Sequence, residues 1–542
     1  MKKFIPGIIY HFNNLSPVAL IVVVLSIFYI GFQPYFNEEI YFGFSKAYMD
    51  PQWIPGSTLF TDFAGTRILF QAIFGWIMKF VSFENMAFFG RLLGYILLAF
   101  PIAAIAKHLK ISNIVLIFWL VVFFIPQQNF YGGEWVFGGF ETKTIAYVFV
   151  FWSIWFLFKE KYLPAILFAA ISIYWHMLVG GWYTLYLFIY LLIIMGFRKK
   201  FILFWLYAAL LLFPFVLYIY LGLMSGNENT INGVNIGYLY AYVRNPHHIG
   251  ILRDWHYFYH YHAGKVLMAI IAFVLSLTLY RRQIPSRYKW INTFLTIILA
   301  QNLLFLIVAL FDKNGFIAKF YPWRGSTLAM FFFQIATLIM LRYIWMPKIY
   351  KSFKEKYSLI RRKTFYLAQM GLALTICIVI LSFKVADRIE KYRSNEPGWI
   401  AVDEMAGRLN EISEKGDMFM LLGEETLYNI SIPRKAERDV YYFFRCIPSQ
   451  TQSIYDWYIR GLEQDKVKAD TEYLFSSGMY KKIDFIVRRR APRRGADRPR
   501  AGPRFVRRGA RPRRSSRRAC SARRPRMTPA GRADARADLT GP

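Results

Sequence analysis

Two adjacent carboxylates, Glu38 and Glu39, stand in the stretch QPYFNEEIYFGFSKAY (33–48), directly after an apolar run. An acid partly withdrawn from water among aromatic rings has its pKa pushed up and can take a proton from an acceptor hydroxyl. The pair is the expected catalytic base, with no preference between its members; an ordinary solvated interface acid would occupy the same place. Asp50 and Asp62 follow in the same loop as weaker candidates. A second loop, QQNFYGGEWVFGGFETK (127–143), sets four glycines beside Trp135, with Glu134, Glu141 and Lys143 adding charge. Glycines permit close backbone approach to a ligand and an aromatic face can stack on a sugar ring, so a binding loop is expected here, against the alternative of a flexible connector. His176, in YWHMLVGGW, can share that cavity or serve as a satisfied interface histidine.

A third loop, YVRNPHHIGILRDWHYFYHYH (242–262), holds five of the eight histidines. Arg244, His247 and His248 around Pro246 can hold a phosphate through charge-assisted hydrogen bonds. A metal site on His256 and His260, or an aromatic belt with no ligand, remain open alternatives. The fourth loop, DKNGFIAKFYPWRGST (312–327), places Arg324 after Pro322 and Trp323 at the mouth of a long apolar run. An arginine there is costly unless it is paired or bound to an anion, and headgroup snorkelling is the other outcome. Lys319 can assist it, and Arg67 and Arg91 are further basic candidates. Phosphate-binding loops of the Walker type, dinucleotide fingerprints, HExxH and nucleophile elbows are missing from the sequence. That disfavours ATP hydrolysis, zinc proteolysis and Ser-nucleophile hydrolysis, and leaves substrates that arrive already activated. No cofactor motif and no metal ligand set is assigned, and a divalent metal stays open.

The elements that must position these loops are membrane spans. The chain has 542 residues, 56% of them hydrophobic and 19% aromatic. Apolar runs long enough to cross a hydrocarbon core recur along it. The fold class expected is therefore an all-α polytopic membrane protein of about eleven transmembrane helices, with a small α/β extracytoplasmic domain at its C-terminal side. Spans are expected near 17–33, 87–106, 112–126, 144–158, 163–179, 181–197, 201–222, 264–280, 290–311, 326–346 and 364–386. Connectors rich in Lys and Arg (Lys2 and Lys3, 107–110, 159–161, 198–200, 281–289, 347–363) alternate with the four loops above. Basic connectors favour the cytoplasm, which places the N-terminus inside and the four loops outside. Residues 67–83 tempt a twelfth crossing, but counting it breaks the alternation, so an interfacial or re-entrant helix within the first outer loop (34–86) is expected instead. The transmembrane part then covers 1–386 and a soluble outer α/β domain 387–487, with strands at 418–422, 439–444 and 483–487.

The net charge of +34 is concentrated at one end. Residues 488–542 carry 20 Arg and no Lys against 3 Asp. The switch from Phe, Ile, Lys, Tyr and Asn to Arg, Ala, Pro and Gly is abrupt, and marks a disordered tail of foreign or misassembled origin rather than a nucleic-acid-binding arm. Cys377, Cys446 and Cys520 are too scattered for a disulfide framework or zinc site. No cleavable signal peptide is expected, because the first apolar run lacks a small-residue cleavage site.

A carboxylate in the first outer loop, an interfacial helix in that loop, eleven or more spans and a C-terminal outer domain together resemble the GT-C superfamily of membrane glycosyltransferases. The chain also resembles uncharacterised bacterial membrane proteins with RxPHH and PWR segments. The superfamily resemblance implies a polyprenyl-phosphate-linked sugar as donor, a glycan, lipid or protein acceptor, inversion at the anomeric carbon, and a loop acid as base. On that reading Arg324 and the Arg244–His247–His248 turn hold the lipid phosphate, in a bacterial inner membrane. Many members carry an Asp-containing pair where this chain has Glu38-Glu39, which bears on metal dependence. Two rivals are kept: a polysaccharide polymerase or ligase, in which the first-loop acids are dispensable, and a lipid or solute transporter or flippase. Spans 201–222, 290–311 and 364–386 are nearly free of charge, which disfavours transport.

Overall fold

The computed structural model describes residues 4–60, 63–223, 229–245, 248, 252, 255–357, 362–422, 429–446, 448, 450–488 and 504–507. Its helices are, in chain order, α1 (Phe4–Asn14), α2 (Pro17–Tyr29), α3 (Phe36–Met49), α4 (Ile68–Ile77), α5 (Phe83–His108), α6 (Asn113–Phe124), α7 (Thr142–Phe158), α8 (Tyr162–Trp175), α9 (Met177–Met195) and α10 (Lys199–Leu223). After a short hairpin, β1 (Thr230–Ile231) and β2 (Val234–Asn235), come α11 (Trp255–Gln283), α12 (Ser286–Phe311), α13 (Gly325–Met340) and α14 (Arg362–Ile412). Among the described residues seven helical stretches are long and apolar enough to cross a membrane, and α2, α6, α7 and α8 are shorter apolar helices. Each of the eleven expected segments falls on one of these helices. The outward faces agree with that character: α10 exposes Leu206, Leu210, Phe213, Leu217 and Leu221, a stripe no water-facing helix would keep.

Helix starts follow local capping. Ser82 accepts from the Asn85 amide at 3.2 Å to open α5, and Ser16 precedes Pro17 at the first position of α2. Residues 67–83 form only the ten-residue α4, too short to span and packed on α3. The unexpected element is α3 itself, which places the whole Glu38–Glu39 region in a helix.

The C-terminal part differs from a domain hung on a linker. Helix α14 runs unbroken through 51 residues, about 75 Å at 1.5 Å per residue, so the expected boundary at 386/387 falls inside it. Beyond it come β3 (Met418–Leu421), α15 (Ile432–Ala436), β4 (Asp439–Val440), α16 (Thr451–Ala469), β5 (Phe485–Arg488) and β6 (Arg504–Arg507). Their sheet has the order β4-β3-β5-β6, with β3 parallel to β4 and β5, and β6 antiparallel to β5. Arg488, the first residue of the arginine-rich tail, thus closes β5, and four further tail residues pair with it as β6. The remainder of 489–542 lies outside the described residues. Phe419, Val440, Phe443 and Phe485 share one apolar core with Phe42, Phe44, Trp53, Phe60 and Phe74 of the first loop. The C-terminal sheet and the first loop are therefore packed as one layer on the end of the bundle.

Candidate functional site

Helix α3 decides which first-loop residues meet the cavity. Residues Asn37, Ile40 and Tyr41, at spacings of three and one along the helix, line a cavity of about 570 Å³ between the loops and the C-terminal sheet. Glu38 and Glu39 project from other faces of the same helix. The Glu38 carboxylate accepts from Arg91 Nε at 2.8 Å, the Tyr35 amide at 2.7 Å and the Phe140 amide at 2.5 Å, and pairs with Arg91 Nη2 as well. Arg91 also donates to the Gly31 and Gln33 carbonyls, at 2.9 and 2.8 Å. Glu38 and Arg91 are both buried, so this is a lock joining the first loop, α5 and the second loop. Glu39 accepts from Arg434 Nε at 2.7 Å, and Arg434 pairs with Glu84 at 2.8 Å. Burial raises the Glu39 carboxyl above its ordinary range against the pull of Arg434. Neither acid of the expected base reaches the cavity, and the correction has one physical cause: each is already spent on a buried arginine. Asp50 caps the end of α3, and Asp62 and His247 lie outside the described residues.

The second loop supplies the acids that do line the cavity. Gln128 folds it by accepting from the Val136 and Phe137 amides (2.9 and 2.8 Å) and donating to the Phe137 carbonyl (2.7 Å). Asn129 holds the Glu134 carbonyl at 2.6 Å. Gly132 and Gly133 sit at φ +86° and +66°, and a Cβ on Gly133 would stand 3.1 Å from His248 Nδ1, so glycine is required on both counts. His248 Nδ1 lies 2.7 Å from the Gly132 carbonyl, which accepts from it. Burial, then Arg324, Lys143 and Arg244, lower the His248 pKa to about 3, leaving a neutral ring with Nε2 as an acceptor.

Glu134, Glu141 and Lys143 then meet Arg324 from the start of α13. Arg324 Nη1 lies 3.1 Å from Glu134, and Lys143 Nζ lies 3.0 Å from Glu141 and 3.7 Å from Glu134. Burial alone would raise both carboxyls. At Glu134 the charges of Arg324 and Lys143 outweigh it and hold the acid below its usual range, whereas at Glu141 burial, helped by the charge of Glu134, outweighs Lys143 and Arg324 and keeps it raised. Two neighbouring acids are thus pushed apart, which is how one site acquires distinct acid–base roles. The Lys143 ammonium already bridges the two carboxylates, so these residues do not fit a divalent cation between them. Among the described residues no three His, Cys, Asp or Glu side chains gather as a metal site, so the alternative of a metal on His256 and His260 finds no third ligand there.

Trp135 does not line the cavity. It lies flat beneath Lys143, with the ammonium 3.6 Å from its ring centroid, and so supports a charge rather than stacking on a ligand. His176 lines the cavity and caps α9, accepting from the Val179 amide at 3.3 Å. Arg244 lines it too, donating to the Arg445 carbonyl at 2.8 Å and to Asn245 at 3.2 Å. Lys319 and Arg67, both weighed above, also reach it.

Among the polar lining residues outside the sequence candidates are Asn37, Tyr41 and Arg445. The first two were legible as a helical spacing once 36–49 is taken as a helix. Arg445 had no local signal at all. The cavity balance is six cationic side chains against two carboxylates. The first turns of α3, α7, α9 and α16 and the start of α13 all border it, through Asn37, Thr142, Met177, Thr451 and Arg324. Each helix N-terminus carries a partial positive charge of roughly half an elementary unit. The site is built for an anion, with one proton-accepting carboxylate at its edge. The chain matches no protein-family model, and no curated protein sequence resembles it significantly.

Proposed function

We propose that the chain is a membrane glycosyltransferase of the GT-C kind, moving a sugar from a polyprenyl-phosphate carrier to an extracytoplasmic acceptor. The observation that carries this reading is the cavity's charge: six cations and five helix starts around about 570 Å³, with Glu141 and Glu134 the only lining carboxylates among the described residues. On this reading the chain crosses a bacterial plasma membrane eleven times through the helices above, with the basic connectors inside and the cavity outside, which the charge alternation of the connectors supports.

In this mechanism the base is Glu141 rather than the first-loop pair. Its carboxylate takes the proton of the acceptor hydroxyl, whose oxygen attacks the anomeric carbon from the face opposite the phosphate. The bond from that carbon to the phosphate oxygen breaks and the configuration inverts. The electron pair leaves with the lipid phosphate, where Arg324 and Arg244 stabilise the charge that develops. Glu134 holds Arg324 at 3.1 Å and so orients it toward the leaving group. His248 offers its unprotonated Nε2 as an acceptor for a sugar hydroxyl.

The test is complementation of a deletion strain, read by mass spectrometry of envelope glycans. Wild type restores a missing sugar, and Glu141→Gln at equal abundance does not. Full restoration by Glu141→Gln would remove Glu141 from the chemistry and, with it, this mechanism.

A further inference from the structure

The cavity holds more unanswered positive charge than one phosphodiester can neutralise. Arg324 spends a single donor on Glu134, and its buried Nε has no partner. Arg244 spends two donors on Arg445 and Asn245, and its buried Nε is likewise without a partner. Two guanidiniums that line one cavity with N–H donors left over call for a ligand rich in anionic oxygens. They approach from different elements, Arg324 from the start of α13 and Arg244 from the loop after β2. The His248 ring feels the charge of both, which puts them on one compartment rather than two. The Tyr321 ring, also in the cavity wall, lies 4.8 Å from the Arg324 guanidinium and 6.1 Å from the His248 ring. Lys319 adds a further cation beside Phe320.

Resting on the transferase reading, we infer that the carrier presents its sugar through a diphosphate rather than a single phosphate, with Arg324 on one phosphoryl group and Arg244 on the other. A phosphodiester brings one negative charge and two non-bridging oxygens. A diphosphate diester brings two charges and four such oxygens, enough for both guanidiniums to be met at once. The anomeric carbon then parts from the nearer phosphate, and the leaving group keeps both phosphoryl groups.

The experiment is calorimetric titration of the full chain in neutral detergent with farnesyl phosphate, farnesyl diphosphate, inorganic phosphate and inorganic pyrophosphate. Farnesyl diphosphate should bind at least about tenfold more tightly than farnesyl phosphate, the yield of one further charge-assisted contact. Arg244→Gln should erase that preference by weakening the diphosphate alone, Arg244→Lys should restore part of it, and Arg324→Gln should weaken both lipids. Melting temperatures of the variants separate lost binding from lost folding. Equal binding of the two lipids by wild type, or equal weakening of both by Arg244→Gln, would overturn the inference. Inorganic pyrophosphate binding as tightly as farnesyl diphosphate would take the lipid carrier out of the assignment and so overturn the inference as well. If neither lipid binds, the transferase reading falls and takes this inference with it.

Discussion

Glu134 and Glu141 are seven residues apart and face the same cavity, yet their environments separate them. Arg324 and Lys143 pull Glu134 down, whereas burial keeps Glu141 up. A base must be ionised to work. As pH falls through a raised pKa, Glu141 loses its charge, so transfer should fail on the acid side at a pH above the ordinary glutamate value of about 4.3. A pH–rate profile of kcat/KM checks this, and an acid limb at or below that value would contradict it. Glu141→Gln should lower the rate by about 10²-fold or more while farnesyl phosphate still binds. The glycine at 133 offers a different residue-scale test. Gly133→Ala combines a left-handed φ with a Cβ at 3.1 Å from His248 Nδ1, and should cost about 1–2 kcal/mol, read as a lowered melting temperature in detergent.

At the scale of elements, Glu38 and Arg91 join three of them, and their worth is structural. Removing one member leaves the other charged and buried. Arg91→Ala or Glu38→Ala should therefore destabilise by about 3–5 kcal/mol, and the double change Glu38→Leu with Arg91→Met by clearly less. A double-mutant cycle on thermal unfolding in detergent measures this. If the double variant is as unstable as the sum of the singles, the pair is not the lock described. The acids of α3 were legible from composition, but their direction was not. A helix offers every face at 100° intervals, and only packing against α5 and α15 settles which of Asn37, Glu38, Glu39 or Tyr41 meets the cavity.

For the whole molecule, the C-terminal part is joined to the first loop and supplies a wall of the site through the segment after β4 and the start of α16. Asp439 accepts from Ser57 Oγ at 2.8 Å and from the Thr58 amide at 2.9 Å, Arg434 grips Glu39, and Arg445 and Thr451 line the cavity. Cutting the chain after Ile412 removes nine of the 29 buried residues of the apolar core that the first loop shares. Limited proteolysis should then cleave within 34–82, where the full chain resists. Protection of that loop in the truncated protein would show that it folds without the sheet.

Hydrophobic runs are local properties, so the sequence alone determined the membrane class and where the eleven apolar helices lie, though not α3 or the full length of α14. Arg324, Arg244, Lys143, Glu141, His176 and His248 were all found in the loops because charged residues beside long apolar runs are few. Pairing is not local. Glu38 meets Arg91 across 53 positions, Glu134 meets Arg324 across 190, and Glu39 meets Arg434 across 395. Only the tertiary structure could decide which acids those arginines consume, because a buried charge takes whichever partner the packing brings within about 3 Å. That packing leaves Glu134 and Glu141, not Glu38 and Glu39, facing the cavity, and brings Arg445 and the start of α16 to its wall.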